Sequence, residues 1–410
     1  MILTQLISVL ISFLFIPILI RLKFKLSYTL LISAGILGLL SGLGFENLSK
    51  IVISIITNHS SRTTVLTVMM VSILGGLMKH YKILDKVVET ILLVIRNKKN
   101  ALMIIPAMIG ILVIPGGALL SAPFINNIGK EMKISAPRRA AINLVFRHIA
   151  MFLLPYSTSL LIVSATLPDL NIFKLILLNL FFVVFIIFTG YFFFLKDVKS
   201  NILPPRENIG KNLLKLAIYT SPIYIAVIIN AFTGLPFHIT LIASVIIVYL
   251  LSDKKDFFKI LIKSLNWSTV LTVVAVLIMK EIILNMEELI GLFNNMLNLS
   301  NGMFSMLGIF LISSFFFGYI TGNITASLAI ILPMLSQLNI MGQLLYIYTY
   351  FAFGSAFIGY YFSPLHLCQA FTLEHMGVTT GELYKEYRFY APTLLVILII
   401  STLIFKFIFV

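Results

Sequence analysis

From Leu289 to Leu373 the chain carries no Asp, Glu, Lys or Arg, and the stretch from Asn100 to Gly129 is equally uncharged. A membrane-crossing helix needs about 20 apolar residues, so these runs are long enough to cross more than once. An ordinary soluble domain carries roughly 25% charged residues. Here the figure is 11%, with 60% hydrophobic residues and a mean hydropathy of +1.06. The apolar runs are continuous rather than alternating, which excludes a β-barrel. The fold class is an all-α, multi-pass membrane protein.

Thirty Lys and Arg against fifteen Asp and Glu leave a net charge of +15. The bases lie between the apolar runs, where they set orientation and meet anionic headgroups. The lipid bilayer is therefore the expected partner, and nucleic acid is not. A single cysteine, Cys368, excludes an internal disulfide. Residues 1–20 lack a basic start and a small-residue cleavage site, so they are expected as a first span rather than a removed signal.

About ten spans are expected, at 2–20, 28–44, 62–79, 140–166, 173–195, 214–232, 237–252, 267–285, 341–365 and 389–409. Two further segments, 101–135 and 302–339, contain helix breakers: Pro115 to Pro123 in one, Gly318 to Thr325 in the other. Each is expected as a re-entrant hairpin, because irregular backbone at membrane depth survives only inside protein or beside a cavity. The basic loop Arg21, Lys23, Lys25 places the N-terminus outside. A hairpin at 101–135 then keeps Lys130, Lys133, Arg138 and Arg139 on the cytoplasmic side, where a full span would export them. The C-terminus also falls outside.

The parts recur in order. Residues 1–195 hold scaffold spans (2–79), an amphipathic arm helix (82–96), a hairpin (101–135) and spans 140–195. A cytoplasmic linker, 196–213, follows. Residues 214–410 repeat the series: scaffold spans (214–285), arm helix (286–298), hairpin (302–339) and spans 341–409. Five spans per half make the second half enter from the opposite face, an inverted-topology repeat of the kind found in elevator-type transporters.

Matched breaks in such repeats are the best sequence pointer to a binding site. Gly116, Gly117 and Ser121 mark the first hairpin, and Thr321, Gly322, Asn323 and Thr325 the second. The spans that follow carry Pro155-Tyr156-Ser157-Thr158 and Ser363-Pro364-Leu365-His366, expected as a second pair of unwound segments. Arg147 and His148 lie about two turns inside a span, where a charge is a functional candidate by default. Arg147 suits a carboxylate or phosphate; His148 suits the substrate or a coupling proton. Thr321, Asn323, Thr325 and Ser363 are the expected ligands of a coupling Na⁺. No nucleotide-binding or metalloprotease motif occurs.

The hairpin Ile114-Pro-Gly-Gly-Ala-Leu-Leu-Ser-Ala-Pro-Phe124, with Phe146-Arg147-His148 and Leu154-Pro155-Tyr156, resembles a prokaryotic integral-membrane family of unknown function. That family is placed in the ion-transporter superfamily, beside sodium/dicarboxylate symporters and gluconate-type permeases. The resemblance implies two inverted repeats with re-entrant hairpins, a homodimer, and an elevator mechanism. In the symporters Ser-Asn-Thr motifs at the hairpin tips bind Na⁺ and carboxylate. Here Thr321-Gly322-Asn323-Ile324-Thr325 is a partial match and the first hairpin has none.

The expected function is secondary transport of a small organic anion across the inner membrane, coupled to Na⁺ or H⁺, with no enzymatic activity and no cofactor beyond the coupling ion. The alternatives are an intramembrane enzyme, with Ser121 and His148 as its one conceivable pair, and a non-transporting member of a larger complex. The orientation is directly testable. In a Cys368→Ser background, Asp169→Cys should react with an impermeant maleimide in intact cells, and Lys211→Cys only after permeabilisation. The opposite pattern would invert the assignment.

Overall fold

The computed structural model describes residues 2–95, 97–111, 118–199, 208–299, 303–338 and 340–409. Among them the chain forms α-helices and no β-strand. The first half runs α1 (Ile2–Arg21), α2 (Leu26–Leu40), α3 (Gly44–Thr57), α4 (His59–His80), α5 (Ile83–Val94), α6 (Lys98–Ile111), α7 (Ala118–Glu131), α8 (Ala136–Arg147), α9 (Ala150–Leu153), α10 (Thr158–Thr166) and α11 (Ile172–Phe194). The second half runs α12 (Ile209–Thr233), α13 (Phe237–Leu251), α14 (Phe257–Lys263), α15 (Trp267–Leu284), α16 (Glu287–Leu299), α17 (Met303–Thr321), α18 (Ile324–Ser336), α19 (Gly342–Tyr361), α20 (Leu367–Met376), α21 (Thr380–Tyr387) and α22 (Tyr390–Phe409).

Seven segments among the described residues are long and apolar enough to cross a membrane: Thr4–Arg21, His59–His80, Ala136–Thr166, Ile172–Phe194, Ile209–Thr233, Trp267–Leu284 and Tyr390–Phe409. Three of the ten expected spans fall short, for two physical reasons. Helices α2 and α13 have 15 residues each, about 22 Å at 1.5 Å per residue, against a hydrocarbon core of about 30 Å. Helix α19 is long enough but rich in tyrosine, and every residue from Ile347 to Tyr361 is buried. It is walled by protein, and two of its tyrosine hydroxyls find partners there. Tyr350 pairs with Ser401 at 2.6 Å and Tyr361 with Tyr387 at 2.8 Å.

The segments expected as hairpins hold the helix pairs α6–α7 and α17–α18, each packed on the helix that follows it, α8 and α19; residues 112–117 of the first lie outside the described residues. The arm at 82–96 is α5, which buries Ile83, Leu84, Val87, Val88 and Ile91 and exposes Asp85 and Glu89. Its apolar face rests on α12. The arm at 286–298 is α16. Short helices α3 and α14 occupy stretches expected as connections. The stretch between the expected spans 341–365 and 389–409 is also partly helical, with Glu374 and His375 in the last turn of α20. Helix α21 then opens on a capping box between Thr379 and Glu382. The backbone N–H and hydroxyl of Thr379 hold the Glu382 carboxyl below the usual range.

Helices α17 and α19 cross at close range. A Cβ at Gly359 would strike the Phe315 carbonyl, and one at Gly318 the Ala356 carbonyl. Small residues are what let helices approach this far in a membrane protein. Inserting bulk into such a contact costs about 1–3 kcal/mol. Gly359→Val should therefore lower the Tm of the detergent-solubilised protein by several degrees. Gly308→Ala, which meets open space, should leave it near wild type. Equal melting of the two variants would remove the crossing from the fold's essential contacts.

Candidate functional site

Three chain breaks converge on one cavity. The first lies between α8 and α10. Pro155 lacks the N–H that a continuing helix would need, and the chain stays non-helical until Ser157, whose hydroxyl accepts from the Leu160 N–H at the start of α10. The second is the turn between α17 and α18. Gly322 adopts φ +58 with the Leu365 backbone 2.7 Å from where its Cβ would be, a conformation and a proximity that suit glycine. Asn323 then caps α18 by accepting from the Ala326 N–H at 3.1 Å. The third, 362–366, contains Pro364 and leads into α20, which no side chain caps.

The starts of α10, α18 and α20 all line a cavity of about 250 Å³, through Ser157, Thr158, Asn323, Thr325, Leu367 and Cys368. The Thr325 hydroxyl reaches Thr158 Oγ1 at 3.4 Å, which ties two of these helix starts together. Each helix N-terminus carries roughly half a positive charge and orphan N–H donors. Three of them aimed at one space make it electropositive.

Arg147, the last residue of α8, lines the same cavity. It is 6% exposed. The ion pairs among the described residues are Lys50–Glu46, Lys98–Glu131 and Lys280–Glu281, so Arg147 has none. Its Nη1 has no hydrogen-bond partner. Its place at the carboxyl end of α8 recovers typically 0.3–1 kcal/mol. Burying an ion costs several kcal/mol after relaxation. The helix end therefore leaves most of the cost unmet, and an anion in the cavity would meet it.

Behind Arg147 sits a cluster of rings. The His148 Nε2 lies 3.2 Å from the Tyr360 hydroxyl and 3.1 Å from the His366 Nε2. Cys368 completes a group whose ligand atoms all lie within 4.8 Å of one another.

Of the residues singled out from sequence, Arg147, His148, Ser157, Thr158, Gly322, Asn323 and Thr325 line the cavity, and His366 touches it through His148. Gly116 and Gly117 lie outside the described residues. Four others are occupied elsewhere. Ser121 is fully buried and bonds the Ala118 carbonyl, and His148 is turned to Tyr360 and His366, so the structure does not join that serine to that histidine. Tyr156 donates to the Ile223 carbonyl at 2.9 Å and anchors the break to α12. Thr321 bonds the Phe317 and Asn323 carbonyls. Ser363 donates to the Tyr319 carbonyl and accepts from the Leu365 N–H. The expected Na⁺ ligands thus divide, with Asn323 and Thr325 at the cavity and Thr321 and Ser363 in backbone repair.

Sequence reasoning missed Cys368, Tyr360 and the Thr272 wall of α15. The His366-x-Cys368 spacing was a readable signal for the first. It also missed Lys280 and Glu281, an ion pair at 2.7 Å inside a span, with Lys280 reaching the Ala165 carbonyl near the end of α10.

No curated protein matches the chain. A family model described as protein of unknown function (DUF401) matches residues 6–408, and with nearly its whole length matched, the chain belongs to that family.

Proposed function

We propose that this protein is a secondary active transporter of a small organic anion, of carboxylate type, and that the cavity is its substrate site. The observation that carries this is Arg147: a buried guanidinium with an unpartnered Nη1, facing a space where three helices begin. A guanidinium holds a carboxylate by two parallel bonds, and helix N-termini supply further donors. The cavity's size suits a molecule of a few carbons rather than a lipid or a peptide.

Alternating access needs two matched halves, and the element order supports them. Helices α1–α11 and α12–α22 follow one another in parallel series. The packing crosses between halves: α10 lies on α18, and α7 on α20. We infer an inverted repeat in the inner membrane, as in the ion-transporter superfamily. The two hairpins with α8–α10 and α19–α20 are the moving part, α1–α4 and α12–α15 the scaffold, and α5 and α16 the arms. Asn323 and Thr325 are the remaining candidates for a coupling Na⁺, with His148 the candidate for H⁺. The working unit is a homodimer, and the protein is a carrier rather than an enzyme.

Thermal melting of the solubilised protein against mono- and dicarboxylates, phosphate and sulfate, in Na⁺ and in K⁺, tests the assignment. A ligand at 100 times its Kd stabilises by about 2.7 kcal/mol, a readable rise in Tm. At least one carboxylate should give it, Arg147→Gln should abolish it, and the same anion should accumulate in proteoliposomes. Stabilisation that survives Arg147→Gln, or no stabilisation by any anion, would overturn the proposal.

A further inference from the structure

The two histidines behind the cavity pose a problem of protons. The His148 Nδ1 lies 2.6 Å from the Leu144 carbonyl, and the His366 Nδ1 lies 3.4 Å from the Tyr361 carbonyl. A carbonyl only accepts, so each Nδ1 carries the hydrogen. In a neutral imidazole the other nitrogen is then a bare acceptor. Both Nε2 atoms are such acceptors, and they face each other at 3.1 Å. At 3.1 Å the two nitrogens share either one proton or a bound cation.

We propose that His148, His366 and Cys368 form a binding site for a thiophilic d¹⁰ metal ion, Zn²⁺ or Cu⁺. In each imidazole Nδ1 faces a backbone carbonyl, the usual outer shell of a metal-bound histidine, and Nε2 faces the other ring, with the Tyr360 hydroxyl 3.2 Å from the His148 nitrogen. Nitrogens bound at 2.0–2.1 Å to a tetrahedral ion stand about 3.3–3.4 Å apart, close to the observed spacing. Cys368 adds sulfur within 4.8 Å of both nitrogens. A mixed imidazole–thiolate set favours Zn²⁺ or Cu⁺ over Na⁺, Mg²⁺ or Ca²⁺, which prefer oxygen.

The charge balance is workable. On binding, the Cys368 thiol gives its proton to water as the sulfur–metal bond forms. The thiolate then offsets one charge of the ion beside Arg147. His148 and Cys368 also line the cavity, while His366 stands behind them. The ion is thus reached from the cavity with three protein ligands in place, the arrangement that leaves a coordination position open.

The test uses the full-length protein in detergent, stripped with a chelator and titrated with Co²⁺. One Co²⁺ per chain should bind, with tetrahedral ligand-field bands and a thiolate-to-cobalt charge-transfer band, and Zn²⁺ should displace it. Cys368→Ser, a near-isosteric change, should keep the apo Tm and lose the charge-transfer band. His366→Ala should weaken binding at least about tenfold. A Cu⁺ competition with a chromophoric chelator under reducing conditions forms the second arm. Failure of wild type to bind Co²⁺, Zn²⁺ or Cu⁺ would sink the proposal and leave a shared proton as the bridge between the histidines. An unchanged Co²⁺ spectrum in Cys368→Ser would sink it equally. No readout involves an anion or transport, so a failure here leaves the anion assignment standing.

Discussion

A backbone that leaves the helix inside a membrane protein must still satisfy every N–H and C=O it releases. This constraint governs the centre of the molecule. Each break supplies its own repairs. The Phe152 carbonyl, freed as α9 ends, receives the Asn179 side-chain amide at 3.2 Å. The Tyr319 carbonyl receives Ser363, and the Phe362 carbonyl receives Tyr384 at 2.6 Å. The Tyr361 carbonyl takes the His366 ring N–H. The donors come from α11, from the facing break and from α21, so each break is held by an element remote in sequence. Of the three helix starts that border the cavity, α10 is capped by Ser157 and α18 by Asn323, while no side chain caps α20.

The helix starts and the Arg147 guanidinium together set the sign of this space. Had the carbonyl ends been left open, the cavity would suit a cation. Instead the freed carbonyls are capped by side chains while the N-termini of α10, α18 and α20 and the Arg147 guanidinium meet at one place. Each half contributes to this: α10 and Arg147 from the first, α18 and α20 from the second. The polar second hairpin serves the same electropositive space.

Much of the architecture was legible in the residues. The uncharged runs gave the long apolar helices, and the 3.6-residue periodicity of 82–96 gave α5 nearly to its ends. The breaks at Pro155 and Pro364 fell where expected, since a missing N–H is a local fact. Less local facts were not legible. The tyrosines of α19 read as an ordinary span, because a sequence does not say whether a helix faces lipid or protein. Helices α3 and α14 fall in stretches expected as connections: α14 has only 7 residues, and α3, though 14 residues long and amphipathic, was missed. Cys368 and the His148–His366 pairing depend on residues more than 200 positions apart meeting across the breaks.

Polar residues at a break have two uses, and composition does not separate them. Thr321 and Ser363 sit beside Asn323 and Thr325 and share their chemistry, so all four read alike as ligands. The difference is energetic. An orphaned buried carbonyl costs roughly 1–3 kcal/mol, and a nearby hydroxyl that can reach it is drawn to it before any ligand arrives. Ser363 is within reach of such a carbonyl, that of Tyr319, and is bound to it, and Thr321 accepts from the Asn323 N–H freed at the turn. Asn323 caps a helix, which uses one of its side-chain oxygen's lone pairs, and leaves an amide toward the cavity wall. Arg147 has no carbonyl or carboxylate bound to its Nη1 at all. Ranking polar groups by what the backbone has not already claimed thus orders the site, with Arg147 first, then the cavity-facing helix starts, and the break-repairing hydroxyls last.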